Sequence, residues 1–320
     1  MPIRNLLGRD LGFDPNAGMF YSRGAPVLGI PRGRGKDYYV SSLVGAAGSS
    51  GLGPYAAVTT IKLALAKCTA NNGDRIIVLP GHSEALANTT DLDLNKAGVE
   101  IIGLGVGEKQ PKITIGTANT ATITVSADDV TVRNIHVVAN FLSIAAAFTS
   151  AAAKNFSMEW CRFTDTSSVL NFLNIFKGTG GANTNDGLEM SDCLWDGKGT
   201  TSVNAAILVA NTVDRLVAVR NKWKSETTVD QAWIVVTTGI LTNADIGDNK
   251  GYRQNTATSN SSLINVAGTT STGWVYRNYI QSLTTTTDKL FTTTVGLAAF
   301  ENRVSGAVGA TGFVIPAVDS

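Results

Sequence analysis

Charge is what this chain has least of. Lys, Arg, Asp and Glu together make up 16% of its 320 residues, where an ordinary soluble domain carries about a quarter. The formal net charge is +1, so nothing points to nucleic-acid binding by the chain as a whole. Apolar residues reach 43%, which excludes the low-hydrophobicity composition of disordered chains. The three cysteines, Cys68, Cys161 and Cys193, fit no metal-ligand spacing and read as buried thiols. The two histidines, His82 and His136, have no metal partner at a recognisable spacing, and no cofactor is expected. No apolar run reaches the about 18 residues a membrane helix needs, so no membrane partner is expected either. The opening Met1-Pro2-Ile3-Arg4-Asn5 lacks the apolar core of a secretory signal, and folding in a cytoplasm is the expectation.

What is present is a weak internal repeat. Residues 130–137 (VTVRNIHV), 156–163 (FSMEWCRF), 188–195 (LEMSDCLW) and 216–223 (LVAVRNKW) share apolar or small residues at the first and third positions and an apolar residue at the eighth. Fainter copies follow at 246–249 (IGDN), 275–278 (VYRN) and 299–302 (AFEN). The sixth position falls at Ile135, Cys161, Cys193, Asn221, Asn249, Asn278 and Asn302, with spacings of 26, 32, 28, 28, 29 and 24. A drifting period of this size is what a solenoid with variable loops produces. A further short β-branched segment lies about half a period before several anchors: 121–125 (ATITV), 206–209 (AILV), 233–237 (WIVVT) and 262–266 (SLINV). Residues 312–315 (GFVI) read as the start of a last partial coil. Two or three strands per coil joined by polar turns define a parallel β-helix.

Stacked coils place equivalent residues about 4.8 Å apart. Asn221, Asn249, Asn278 and Asn302 are therefore predicted to form an inward amide ladder continued by Cys161 and Cys193 as free thiols; the alternative is that each Asn forms its own turn. Residues 54–69 are predicted to be a helix closing the N-terminal end, because Tyr55, Val58, Ile61, Leu65 and Cys68 recur at three- and four-residue steps between Pro54 and Asn71-Asn72-Gly73. A strand at 74–80 follows.

The stretch 36–40 (KDYYV), this helix, 72–84 (NGDRIIVLPGHSE) and 99–105 (VEIIGLG) together resemble the opening coils of the pectin-lyase-like superfamily, and within it the β-helix proteins of tailed bacteriophages. The resemblance implies an all-β, right-handed parallel β-helix over 36–320 with an N-terminal capping α-helix. Its activity is left open, because lyases, hydrolases, tailspikes and inert structural proteins share the fold.

Residues 1–35 stand outside the repeat. Five arginines against Asp10 and Asp14 give them a net +3. They read as an extended docking arm, with Arg4, Arg9, Phe13, Phe20, Tyr21, Arg23, Arg32 and Arg34 as the contact residues; the bland alternative is a disordered leader.

No catalytic set is expected. The hydrolases of the resembled superfamily carry Asn-Thr-Asp, Asp-Asp, Gly-His-Gly and Arg-x-Lys in that order. Here Gly81-His82-Ser83, Asp128-Asp129 and Asn183-Thr184-Asn185-Asp186 run in reverse; only Arg220-Asn221-Lys222 matches in form and place, a three-residue pattern that carries little weight, and no catalytic residue carries over. Asp91 and Asp93 lack the further oxygens a calcium ion needs. Glu159 and Glu189 are expected to face outward on the order of 8 Å apart, inside the about 6.5–9.5 Å window of inverting glycosidases. Neighbouring coils carry no matching acids, and solvated surface carboxylates are the preferred reading. Gly103–Gly107 reads as a turn. Trp195 and Trp223 are expected in the core or an interface, and Trp160 outward.

The expectation is thus a non-enzymatic virion protein, assembled in a host cytoplasm. It would decorate or cement a capsid, dock on the major capsid protein through its arm, and pack as an oligomer, with a trimer implied by the resemblance. The alternative is a tailspike that binds or depolymerises a host surface polysaccharide.

Overall fold

The computed structural model describes residues 35–200, 205–226, 232–253, 262–282, 289–291 and 296–305, and the backbone of four short strands within the first 28 residues. Among the described residues between 37 and 305 the chain is a parallel β-solenoid of about seven turns. Three parallel sheets of ten, nine and eight strands run along it. The ten-stranded sheet starts at Asp37–Val40 and ends at Ala298–Phe300, the nine-stranded sheet runs from Ser83–Leu86 to Arg303–Ser305, and the eight-stranded sheet from Asp93–Leu94 to Lys289–Phe291.

The register follows the sequence repeat. Val132, Met158, Met190, Ala218, Ile246, Val275 and Ala299 are successive partners in the ten-stranded sheet. Val137, Phe163, Trp195 and Trp223 are successive partners in the nine-stranded sheet. Between these two sheets lies a tight corner. The residue before each anchor (Asn134, Trp160, Asp192, Arg220, Asp248, Arg277 and Glu301) has φ between 48° and 57°, a left-handed conformation unfavourable for side chains with a Cβ. It is repaid from inside. Asn249 Oδ1 accepts both the backbone N–H and the side-chain amide of Asn221 (each 3.0 Å), while Asn249 Nδ2 donates to Ala218 O (2.7 Å) and Asn278 Oδ1 (2.9 Å). The pattern continues through Asn278 to Asn302. Both amide protons and the carbonyl oxygen of each inner Asn are thereby used, which is what makes burial of a polar column tolerable. Asn221 Oδ1 accepts from the Cys193 N–H at 2.9 Å, and Cys161 and Cys193 are buried free thiols.

The core holds an aromatic stack. Trp223 stacks on Trp233 from the eight-stranded sheet with centroids 5.6 Å apart, and Trp195 meets Trp233 edge-on at 5.9 Å. Gly251 follows Trp223 in register, and a Cβ there would come 2.4 Å from Trp233 Nε1. The space that Trp233 fills is space a side chain at 251 cannot take.

Two expectations need correction. The helix predicted over 54–69 reduces to a 3-10 turn at Pro54–Ala56 and a five-residue helix at Ile61–Leu65. Val58 instead forms a parallel bridge with Val40, its N–H donating to Tyr39 O and its carbonyl accepting from Ser41, and Tyr55 is fully exposed. Strand pairing overrides the apolar spacing, and no helical cap of the predicted length forms. Among residues 1–28, where an extended arm was expected, Ile3–Arg4, Asp10–Asp14, Met19–Ser22 and Ala25–Leu28 pair antiparallel in one four-stranded sheet. The predicted strand at 312–315 lies outside the described residues.

Candidate functional site

The outer face of the ten-stranded sheet carries the acids that the sequence offered as a catalytic couple. Strand alternation puts Arg133, Glu159 and Ser191 in one outward column, and Glu100, Thr131, Ser157, Glu189, Val217, Asp245 and Trp274 in the other. Glu159 is not a free acid: it takes both arms of the Arg133 fork, at 2.8 and 3.1 Å, and the same guanidinium also binds Glu100. Glu159 first, then Glu100 and Glu189 by charge, hold the Arg133 proton more tightly than usual against the cost of burial. Two coils earlier, Arg75 makes a similar bidentate pair with Asp37 at 2.8 and 3.0 Å. The acids of the early coils are thus tied into charge-neutralising networks.

Towards the other end the face turns aromatic. Trp274 is 60% exposed and meets Phe300 edge-on at 6.1 Å. Tyr276 stacks on Phe300 at 5.4 Å, with the Arg277 guanidinium 4.9 Å above its ring. Gly247 makes room for that ring, since a Cβ there would sit 2.2 Å from Tyr276 Cζ. Trp274, Tyr276 and Phe300 border a shallow cleft of about 500 Å³, into whose lining Asp245 also falls. Asp245 Oδ1 is buried with no hydrogen-bond partner among the described residues. Burial, then the Asp245 carboxylate, pushes the Tyr276 phenol up. The sequence does not gather this group, because its members come from strands 29 and 24 residues apart in the repeat.

The other residues weighed in the sequence have structural duties. His82 is buried; its Nδ1 accepts from Ser42 N (3.0 Å), and Nε2 faces Glu84 Oε2 (3.2 Å), which itself accepts the Ile61 N–H (3.0 Å). His136 lies outward, 3.0 Å from Thr164 Oγ1; burial, then Arg162 and Lys112, bring its pKa down to about 4. Asp91 closes a turn: burial works against its charge, but the N–H groups of Ala87 and Asn88 bring its carboxyl below the usual range. Asp93 accepts from Ser126 Oγ at 2.5 Å. Asp128, Asp129, Asn185 and Asp186 bind Lys154 N, Asn155 Nδ2, Ser150 Oγ and Asp214 N respectively, so those motif fragments serve turns. Asp165 is fully buried, accepts from Phe172 N and Lys198 N, and is pushed up by burial to about 6. Asp192 is paired with Arg220 and Asp248 with Arg277, each at 2.7 Å, and Asp196 with Lys224 at 3.4 Å. Trp195 and Trp223 are core residues, while Trp160 is 63% exposed.

Of the expected docking residues, Arg4, Phe13, Phe20 and Tyr21 fall on the N-terminal strands, where Phe13 and Phe20 are register partners. Arg9, Arg23, Arg32 and Arg34 lie outside the described residues. Among the described residues, no three His, Cys, Asp or Glu side chains converge as a metal site.

No protein-family model matches the chain, and no curated protein matches it. Solved structures do. A pectin methylesterase in complex with a hexasaccharide superposes with a TM-score of 0.50 at 11% identity, over 86% of this chain and 91% of that one. A rhamnogalacturonan lyase gives 0.47 at 12% identity, over 88% and 84%, and the GH136 lacto-N-biosidase from Eubacterium ramulus 0.39 at 10%, over 84% and 67%. At such identities the likeness concerns architecture alone: the chain has the parallel β-helix, pectin-lyase-like fold.

Proposed function

We propose that this protein is a non-enzymatic structural protein of a virion, a capsid decoration or cement protein that docks on the major capsid protein through residues 1–35 and packs as a trimer. The observation that carries the non-catalytic part is the Arg133 network: the Glu159 carboxylate is held by a bidentate fork, whereas a general acid or base needs to exchange a proton with substrate. The virion part rests on the resemblance of residues 36–40, 72–84 and 99–105 to phage β-helices and on the low surface charge. The coil is taken as right-handed, as parallel crossovers almost always are. Electron microscopy of purified particles tests the proposal. Density for the solenoid in many copies on the capsid, lost when residues 1–35 are deleted from a chain that still folds, is the expected result. Oligosaccharide release from a host glycan by the purified protein would overturn it.

A second reading, a tailspike or other receptor-binding protein, is favoured by the exposed Trp274 and the partnerless Asp245 oxygen beside it. A flat aromatic ring with a polar acceptor at its edge suits a sugar ring. A dozen or so copies at the tail would favour this reading over decoration.

A further inference from the structure

The charge of the Trp274 cleft is unusual for this molecule. Asp245 is the one charged residue in its lining among the described residues. Nearby cations are already held by other acids. Arg277 donates to both Asp248 oxygens at 2.8 and 2.7 Å, and Arg215 lies 3.3 Å from Asp214. The Asp245 Oδ1 atom, buried and without a hydrogen-bond partner among the described residues, is left facing the aromatic group.

The register explains how the cleft stays open. Asp245, Trp274 and Ala298 are successive partners in one outward column, and Gly247, Tyr276 and Phe300 in the next. Ala298 follows Trp274 with only a methyl group, and Gly273 and Gly296 at the rim carry no side chain. The indole of Trp274 therefore stays 60% exposed, one coil from the Asp245 carboxylate. The remaining polar groups of the lining serve the backbone and the next turn. Thr272 Oγ1 accepts the Asn243 N–H at 3.0 Å, and Asn243 Nδ2 donates to Asp214 Oδ1 at 2.8 Å.

Aromatic faces beside an uncompensated carboxylate attract positive charge, because the ring faces are electron-rich. The cluster already holds one cation in this way, the Arg277 guanidinium 4.9 Å from the Tyr276 ring. The chemistry of the free space narrows the kind of cation. A calcium ion wants six to eight oxygens, and one carboxylate does not supply them. A guanidinium brings five N–H donors, and a sugar brings hydroxyls that need several partners each. A quaternary ammonium group has no N–H to satisfy: its methyl groups rest on ring faces and its charge meets the carboxylate.

We propose that the cleft formed by Asp245, Trp274 and Phe300 binds a quaternary ammonium group of the trimethylammonium type carried by choline. This gives the cleft a ligand other than the sugar of the second reading. It is independent of capsid docking, so its failure would leave particle association untouched.

The test is calorimetric titration of the full chain with choline, its neutral carbon isostere dimethylbutanol, arginine and maltose. Choline is expected to bind with a Kd at or below about 1 mM, and dimethylbutanol at least about tenfold more weakly. Asp245→Asn keeps the shape and removes the charge; it should weaken choline at least about tenfold and leave dimethylbutanol unchanged. Trp274→Ala should weaken both, and Trp160→Ala, which removes an exposed indole outside the cleft, neither. Circular dichroism should match the parent chain for all three variants. Phosphatidylcholine vesicles separate the sources of the group: cosedimentation identifies a lipid headgroup, and protein left in solution identifies a free ligand. Absence of choline binding, equal binding of choline and dimethylbutanol, tighter binding of arginine or maltose, or indifference to Asp245→Asn would each overturn the proposal.

Discussion

The ten-stranded and nine-stranded sheets are built by the same coils and meet at one tight corner, yet outward columns on the two treat charge in opposite ways. On the ten-stranded sheet, Arg75 and Arg133 are locked to Asp37, Glu100 and Glu159. On the nine-stranded sheet, Lys112, Arg162, Lys222, Lys250 and Arg303 recur in register with no acid among them. Stacking like charges is unfavourable in itself. The nine-stranded sheet does pair charge one column over, where Lys224 meets Asp196 at 3.4 Å, so the contrast lies between columns.

Both faces hang from the inward Asn column, and breaking that column should cost most. Asn249→Ala strands the Asn221 N–H and side-chain amide in the interior. At about 1–3 kcal/mol per orphaned group, a loss of roughly 2–5 kcal/mol is expected in urea denaturation. A loss below about 1 kcal/mol would mean that the column does not hold the corner. Arg133→Leu comes next: it leaves Glu100, Glu159 and Glu189 facing one another. Because the Arg133 side chain is 40% exposed, solvent screening keeps the cost to about 1 kcal/mol. The matching change on the other sheet, Lys222→Ala, removes no ion-pair partner among the described residues and should stay within about 0.5 kcal/mol. Equal costs for the two would erase the contrast between the columns.

A pH series sharpens the picture within the nine-stranded sheet. Asp165 is raised from 3.8 to about 6 by burial, so the folded state holds its proton longer and stability falls as pH rises through about 4 to 6. His136 is lowered from 6.5 to about 4, so the unfolded state takes its proton first and stability rises with pH through about 4 to 6.5. The two slopes oppose each other. His136→Gln should expose the falling slope and Asp165→Asn the rising one, read as denaturation midpoints at several pH values. Variants whose slopes match the parent chain would show that neither group titrates as its surroundings dictate.

Much of this was legible in the residues. The anchors Ile135, Cys161, Cys193, Asn221, Asn249, Asn278 and Asn302 could be aligned because a stacked coil demands a like residue at a like place. The cation row could be read too, as the residue directly after each anchor, but it has no apolar signature and stood out only once the register showed which neighbours lacked acids. The helix over 54–69 was misjudged because apolar residues three and four apart are also compatible with a bridge at Val58 and a short turn after it. Arg133 offered no hint of its partners, since Glu159 and Glu100 lie 26 and 33 residues away.

The sequence by itself determined the coil and its inward column, because burial in a stack repeats the same chemical demand at every turn and leaves a period behind. Tertiary structure alone decided which outward charges find partners, how far the first helix extends, and that Trp274, Tyr276 and Phe300 share a cleft. Those outcomes depend on which loop brings which coil into register, and variable loops erase that information from any fixed spacing.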